Sequence, residues 1–461
     1  MPRTKLSTHA LAITIALGSL VGDEAGAQSL ATNTITRYQL DNGLDVVLEE
    51  RHETPRVAVQ VEYRVGTRDQ VDGYSGLAHL TEHLMFSWAR GHRRGGLAFI
   101  ESLGASDFNG ITTADSTRYY EVVSASALER TLAFESDRMG FLLDHVDERA
   151  LDSARRVVLR ESSERRGASG ASDFGPQILG SLHGRGHPYR FLHEDPEQVA
   201  TLTLANAQWF HQRWYTPSNA TLVLVGDFDA SRARALIQRY FGGLARVARP
   251  ARTPAPPIVT LSGPVQFTSS TNATSDSISS VFVTPPLFAA DDAELDLISD
   301  ALTEASTARL PRRFAPMPAL AASADSEQRS REFVSMFYLG ARGRAGSLDT
   351  LATITEGVLD ELRRTELSQA ELDALCARRL LWMRASHQTL EGRAYWLGLY
   401  ARNASSIDAM LARDFDRYTA VTPRSLRRAA RRWLAPNKRM IIVRRGARPA
   451  NDSEIILEDD R

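Results

Sequence analysis

The sequence predicts an α+β chain made of two similar halves, and three observations carry that expectation. Asn42-Gly43 separates two alternating apolar runs, residues 35–40 and 44–48, a strong signal for a β-hairpin. Strand patterns alternate with long helical patterns along the rest of the chain. Finally, Arg213-Trp214-Tyr215-Thr216-Pro217 and Arg432-Trp433-Leu434-Ala435-Pro436 both read R-W-x-x-P, each before an apolar strand, at an offset of 219 residues. A repeat at about one domain's length points to internal duplication.

Taken in order, residues 57–65 alternate as a third strand, and a polar loop over 66–76 delivers the chain to a helix around residues 77–86. A short helix over 97–103 is closed by Gly104, and strands are expected over 106–112 and 116–123. Helical periodicity covers 126–143 and 148–165, then a Gly/Ser-rich loop at 167–170, then helix again over 202–214. Residues 220–226 read as a buried-type strand followed by helix to Tyr240. Pro250, Pro254, Pro256 and Pro257 stiffen a stretch without periodicity, expected to be an interdomain linker. The second half repeats the order, with strands over 320–342 and a closing strand over 440–443. The expected divisions are therefore a signal peptide (1–27), a first domain (28–241), a linker (242–262), a second domain (263–446) and a polar tail (447–461).

Composition narrows the function classes. The 461 residues carry a net charge of −1, which gives no basis for a nucleic-acid or polybasic membrane partner. The single cysteine, Cys376, rules out an intrachain disulfide and a Cys-rich zinc site, and is read as a small buried hydrophobe. Arg3 and Lys5, the apolar run over 11–21 and Ala25-Gly26-Ala27 form a cleavable leader cut after Ala27, with no later membrane span. Export is expected, to the periplasm if the source is Gram-negative. Asn219-Ala220-Thr221 fits a glycosylation sequon but falls at a strand start, and His187 beside Pro188 reads as a turn histidine.

The chemistry centres on Ala78-His79-Leu80-Thr81-Glu82-His83-Leu84, which contains H-x-x-E-H. On a helix His79 and His83 lie one turn apart on one face, where two imidazoles can hold one metal ion, and Glu82 can reach a water beside it. Leu77, Leu80 and Leu84 form the stripe that anchors the helix in a core. Two surface histidines beside a helix acid is the plain alternative. Catalytic zinc takes three protein ligands, so a third must come from elsewhere. Residues 154–166 offer Glu161 and Glu164, and spacing alone does not choose between them.

Gly76 to Phe86, reading G-L-A-H-L-T-E-H-L-M-F, resembles the active-site helix of the pitrilysin/insulinase family of zinc peptidases. Leu40-Asp41-Asn42-Gly43-Leu44, Val65-Gly66-Thr67-Arg68-Asp69, the stretch from Asn109 to Tyr120, and Gly186-His187-Pro188-Tyr189 are similar to further family patterns. The likeness covers nearly all of the first half and is weaker in the second.

The resemblance implies two homologous α/β-roll domains, each a mainly antiparallel sheet with helices packed on one face, which form a clam-shell chamber on dimerisation. It implies one Zn2+ per chain held by His79, His83 and Glu161, with Glu82 as general base for hydrolysis of short or unfolded peptides. Asn109, Gly110 and Thr112 would bind an extended peptide as an added strand. Family members carry an arginine and a tyrosine in the second half; here arginines lie nearby, at Arg309, Arg312 and Arg313, but Ala322 stands where the tyrosine is expected. The chain is therefore expected to be the zinc-bearing subunit of a homo- or heterodimer whose partner supplies that pair. The alternative is a catalytically weak or inactive peptide-binding or scaffold subunit of a peptidase complex.

Overall fold

The structure, a computed structural model, describes residues 34–88, 90, 95–169, 180–182, 186–258, 261–270, 273–304 and 308–447. The expected leader over 1–27, and all of the expected tail except Ala447, lie outside the described residues.

In the first half lie β1 (Ile35–Gln39), β2 (Asp45–Glu50), β3 (Arg56–Tyr63), β4 (Asp107–Thr112), β5 (Thr117–Ser124) and β6 (Ala220–Gly226). They form one sheet in the order β1-β2-β6-β3-β5-β4. Only β2 and β6 pair in parallel, so the sheet is mainly antiparallel. Its helices are α1 (Leu77–Leu84), α2 (Gly95–Ser102), α3 (Leu128–Phe141), α4 (Glu148–Ser169), α5 (Pro196–Thr201), α6 (Leu204–Trp214) and α7 (Ala230–Phe241). Helix α4 continues to Ser169, past the break expected at Gly167, and α5 starts on Pro196 with Asp195 as its N-cap.

The hairpin read from Asn42-Gly43 forms as β1–β2. Gly43 takes a φ of 92°, and the buried Asn42 amide donates to the carbonyls of Phe241 and Leu244. The turn thus ties the hairpin to the end of α7.

The second half contributes β7 (Val265–Ser270), β8 (Ser275–Thr284), β9 (Ser323–Arg329), β10 (Ser335–Arg344) and β11 (Arg439–Arg445), in the order β7-β11-β8-β10-β9. Its helices are α8 (Asp292–Ser299), α9 (Arg309–Phe314), α10 (Leu348–Arg364), α11 (Gln369–Gln388), α12 (Leu390–Asn403), α13 (Ile407–Thr419) and α14 (Pro423–Trp433). The two R-W-x-x-P stretches occupy equivalent places. Each ends a helix, α6 or α14, passes through a short 3-10 turn, and starts a strand paired in parallel with one neighbour and antiparallel with the other.

Sheet one is covered on both faces. Val46, Leu48, Val57, Val59, Leu222 and Leu224 pack with α1, α3, α6 and α7 in the larger core. Their neighbours Val47, Ala58, Val223 and Val225 face Ala394, Leu397, Tyr400 and Ala401 of α12, a helix from the second half. This explains the unbroken apolar run of β6: successive side chains point to opposite faces, and both are buried. Burying each such side chain contributes about 1.5–3 kcal/mol. Gly398 lets α12 approach; a Cβ there would lie 2.6 Å from the Gln60 amide nitrogen and 2.8 Å from a Glu62 carboxylate oxygen. Arg393–Glu49 (2.6 Å), Arg402–Glu62 (2.8 Å) and Arg118–Glu391 (2.9 Å) hold its rim.

A second junction lies beside the lead-in to α1. Buried Arg68 bridges Asp115 at 2.7 Å and Glu332 at 2.8 Å, while the Tyr189 hydroxyl donates to Asp115 at 2.6 Å and accepts from the Phe333 backbone N–H at 3.0 Å. Among the described residues no helix is long and apolar enough to cross a membrane.

Candidate metal centre and active site

Helix α1 begins after Gly76, whose φ of 87° suits glycine and whose Cβ would strike Val199 of α5 at 2.4 Å. Leu77, Leu80 and Leu84 are fully buried, so the opposite stripe of His79, Glu82 and His83 is locked in orientation. His79 and Glu82 are themselves nearly buried.

The tertiary fold then brings α4 across α1. The Nε2 atoms of His79 and His83 lie 3.1 Å apart, and the Glu161 carboxylate reaches them at 3.3 and 3.7 Å. Glu164, the other candidate left open by spacing, is exposed. Ligand atoms of a tetrahedral zinc site with bonds of about 2.0–2.1 Å lie about 3.3–3.4 Å apart, so this donor set has the right size. Its charge also fits, because three carboxylates converge on two imidazoles.

The third of those carboxylates is Glu194, which accepts from His79 Nδ1 at 2.8 Å. The sequence reading missed it. It lies in the loop before α5, and the one local signal, a helix-capping Asp195-Pro196 just after it, speaks only of the helix start. A histidine ligand whose second nitrogen is held by a carboxylate has its ring orientation and tautomer set for metal binding.

Electrostatics agree. Burial works against charge on His79, but the hydrogen bonds to Glu161 and Glu194 outweigh it and lift the ring to about 10. Burial pushes the Glu161 carboxyl up, while the two histidines pull it down further, well below the usual carboxylate range. The cluster favours positive charge at its centre.

Asn109, Gly110 and Thr112 all lie on β4, the edge strand of sheet one, which among the described residues pairs only with β5. A Cβ on Gly110 would lie 2.7 Å from the Phe86 ring and 3.1 Å from Glu82 Cγ, so the strand runs directly against the helix. Asn109 joins Glu82, His83, Phe86, Leu97 and Phe108 around a cleft of about 560 Å³. His187 acts as read: its Nδ1 accepts from the Tyr189 N–H in a turn. Asn219 is fully buried and donates to the Trp214 and Arg64 carbonyls, which closes it to glycosylation.

In the second sheet, β8 holds the place of β3, and α8 follows it as α1 follows β3. There Asp296 and Asp300 stand one turn apart, and Arg379 of α11 binds Asp300 at 2.7 Å. Tyr418 donates to Asp296 at 2.6 Å. An ion-pair network thus occupies the place of the donor set. Arg309 and Arg313 are both paired with Glu361, and Arg309 also with Glu371.

Comparisons with known proteins reach both halves of the chain. Residues 45–167 match the family described as Insulinase (Peptidase family M16), and residues 201–378 match its companion, the Peptidase M16 inactive domain. The chain belongs to the insulinase/pitrilysin (M16) family of peptidases. It is 27% identical over 376 residues to the zinc protease PqqE of Helicobacter pylori, covering 78% of this chain and 82% of that protein. The crystal structure of a protease from Helicobacter pylori shares its fold with a TM-score of 0.80 at 22% identity, over 90% of this chain and 99% of that one. The periplasmic protease PqqL from Escherichia coli matches with a TM-score of 0.70 at 19% identity, over 90% of this chain and 48% of that one.

Proposed function

We propose that the chain is an exported zinc-dependent endopeptidase that hydrolyses short or unfolded peptides. The observation that carries the reading is the convergence of His79, His83 and Glu161 from two helices, with Glu82 on the same face and β4 alongside. His79, His83 and Glu161 would hold one Zn2+. Bound there, zinc supplies Lewis-acid polarisation of water and of the scissile carbonyl.

The remaining work belongs to the chain's own groups. Glu82 accepts a proton from the attacking water and returns it to the leaving amine. Glu194 keeps the His79 ring turned inward. The outer edge of β4 takes an extended peptide as an added strand, with Asn109, Gly110 and Thr112 along it. The cleft beside Phe86, Leu97 and Phe108 receives an apolar side chain of that peptide.

A homologous second subunit would close the chamber and supply the Arg/Tyr pair, because Arg309 and Arg313 are already engaged by glutamates and Ala322 has no hydroxyl. The same facts favour the second reading, a peptide-binding subunit without turnover of its own. The leader-like start, together with a relative named as periplasmic, supports export and, in a Gram-negative source, a periplasmic site.

Zinc content and cleavage of an unstructured peptide library, measured on one purified sample with and without a chelator, test the proposal. About one zinc per chain and chelator-sensitive cleavage are expected. Zinc without cleavage would favour the second reading, and no zinc at all would overturn the metal site.

A further inference from the structure

A second polar cleft, of about 410 Å³, opens on the α12 face of sheet one. It lies where β1, β2 and β3 meet the C-terminal end of α12, and the interdomain stretch reaches into it through Arg249. Four arginines line it: Arg37, Arg64, Arg249 and Arg402.

Two of these are neutralised. Arg37 makes a two-pronged pair with Asp45, at 2.8 and 3.1 Å, and caps the last carbonyls of α12 at Ala401 and Ala404. Arg402 pairs with Glu62 at 2.8 Å. The other two are not. The Arg249 Nε–H donates to the Ser218 carbonyl, and no acid faces its guanidinium within ion-pair distance among the described residues. The Arg64 guanidinium has no hydrogen-bond or ion-pair partner among the described residues, and its Nε is buried without one.

Such an arrangement is costly unless something else completes it. A desolvated guanidinium needs a counter-charge and acceptors for its donors. Burial and, after it, repulsion from Arg249 draw Arg64 down to about 10, against the smaller opposing pull of Asp45 and Glu62.

The geometry points to an oxyanion-binding site in which Arg64 and Arg249 together hold a dianion of the phosphate type, free phosphate or pyrophosphate. Arginine donors suit tetrahedral and planar oxyanions, which accept in pairs. The lining supplies no aromatic face and only two apolar residues, Ala401 and Ala404, so the cleft offers a base or acyl chain nothing to pack against. Its residues come from β1, β2, the end of β3, the interdomain stretch and α12. A bound dianion would therefore tie the second-half helix and Arg249 to sheet one.

The test is a thermal-shift and calorimetric titration of the full mature chain with pyrophosphate and with phosphate, against sodium chloride at matched ionic strength. Saturable binding at one site per chain is expected, with a melting shift that chloride does not reproduce. R64Q and R249Q should each weaken binding about tenfold, the loss of one charge-assisted contact. Arg249 is exposed, so R249Q keeps the fold even if R64Q does not. Tighter binding of pyrophosphate than phosphate would indicate that both arginines span a larger anion; equal binding would indicate a single phosphate held between them. Shifts equal to those of chloride, or unchanged in R249Q, would overturn the site.

Discussion

Glu194 accepts a hydrogen bond from His79 Nδ1 at 2.8 Å, so the first histidine of H-x-x-E-H is held by a residue 115 positions later in the chain. Outer partners of this kind orient a ligand and raise its basicity, and their loss costs about 10–100-fold in metal affinity. E194Q is expected to weaken zinc binding within that range while leaving the fold intact. Competition with a chelator of known affinity measures it; unchanged affinity would remove Glu194 from the site.

In the proposed mechanism Glu82 moves protons and leaves the metal to His79, His83 and Glu161. E82Q should retain zinc and stability yet lose about 10²–10⁴-fold in turnover, the range for a general base. Steady-state cleavage of a fluorogenic peptide is the check, and undiminished turnover would falsify the role.

The two acids on α4 should separate cleanly. E161Q is expected to lose bound zinc, because the Glu161 carboxylate faces both imidazoles. E164Q is expected to keep it, because that side chain is exposed. Metal analysis of both proteins after dialysis decides, and equal zinc content in the two would contradict the assignment of Glu161.

Gly110 lies against the helix so closely that a methyl group would meet the Phe86 ring at 2.7 Å and Glu82 at 3.1 Å. Overpacking of this kind costs about 1–3 kcal/mol. G110A should lower the melting temperature and reduce kcat with zinc retained. Unaltered values of both would show that strand and helix tolerate more separation.

Stability should also decline in acid through His211 and His387, neither of which is among the proposed metal ligands. Burial lowers His211 to about 4 and, with repulsion from Arg393 and Arg51, His387 to about 3. Unfolded, both titrate near 6.5, so over this window the unfolded chain binds more protons than the folded one. Their contribution is fully present above about pH 6.5 and is lost as the pH falls toward the folded values, steepening the slope by up to about 1.4 kcal/mol per pH unit for each residue. Urea midpoints across this range should show it, with a shallower slope in H387Q.

Much of the first half was legible in the sequence because its signals are local. Asn42-Gly43 marks its own turn, and the spacing of His79, Glu82 and His83 places them on one helical face. The leucines behind them mark the buried face of the same turn. The resemblance to the insulinase/pitrilysin peptidases, carried mainly by residues 76–86, is confirmed by matches over both halves. Helix ends were less legible: α4 runs on to Ser169 through a glycine that reads as a break, since a single glycine costs a helix only about 1 kcal/mol.

What the sequence alone determined was the class of protein, the helix that carries the histidines and the duplication of one supersecondary plan. Each is written in residues a few positions apart, where helix and strand periodicity is enough to decide geometry. Tertiary structure alone decided three things. It brought Glu161 to both imidazoles and left Glu164 outside, it set Glu194 behind His79, and it laid α12 across the far face of β6. These contacts join residues from about 80 to more than 170 positions apart. Their energies come from burial and charge pairing between elements that are distant in the chain and adjacent only in the folded protein.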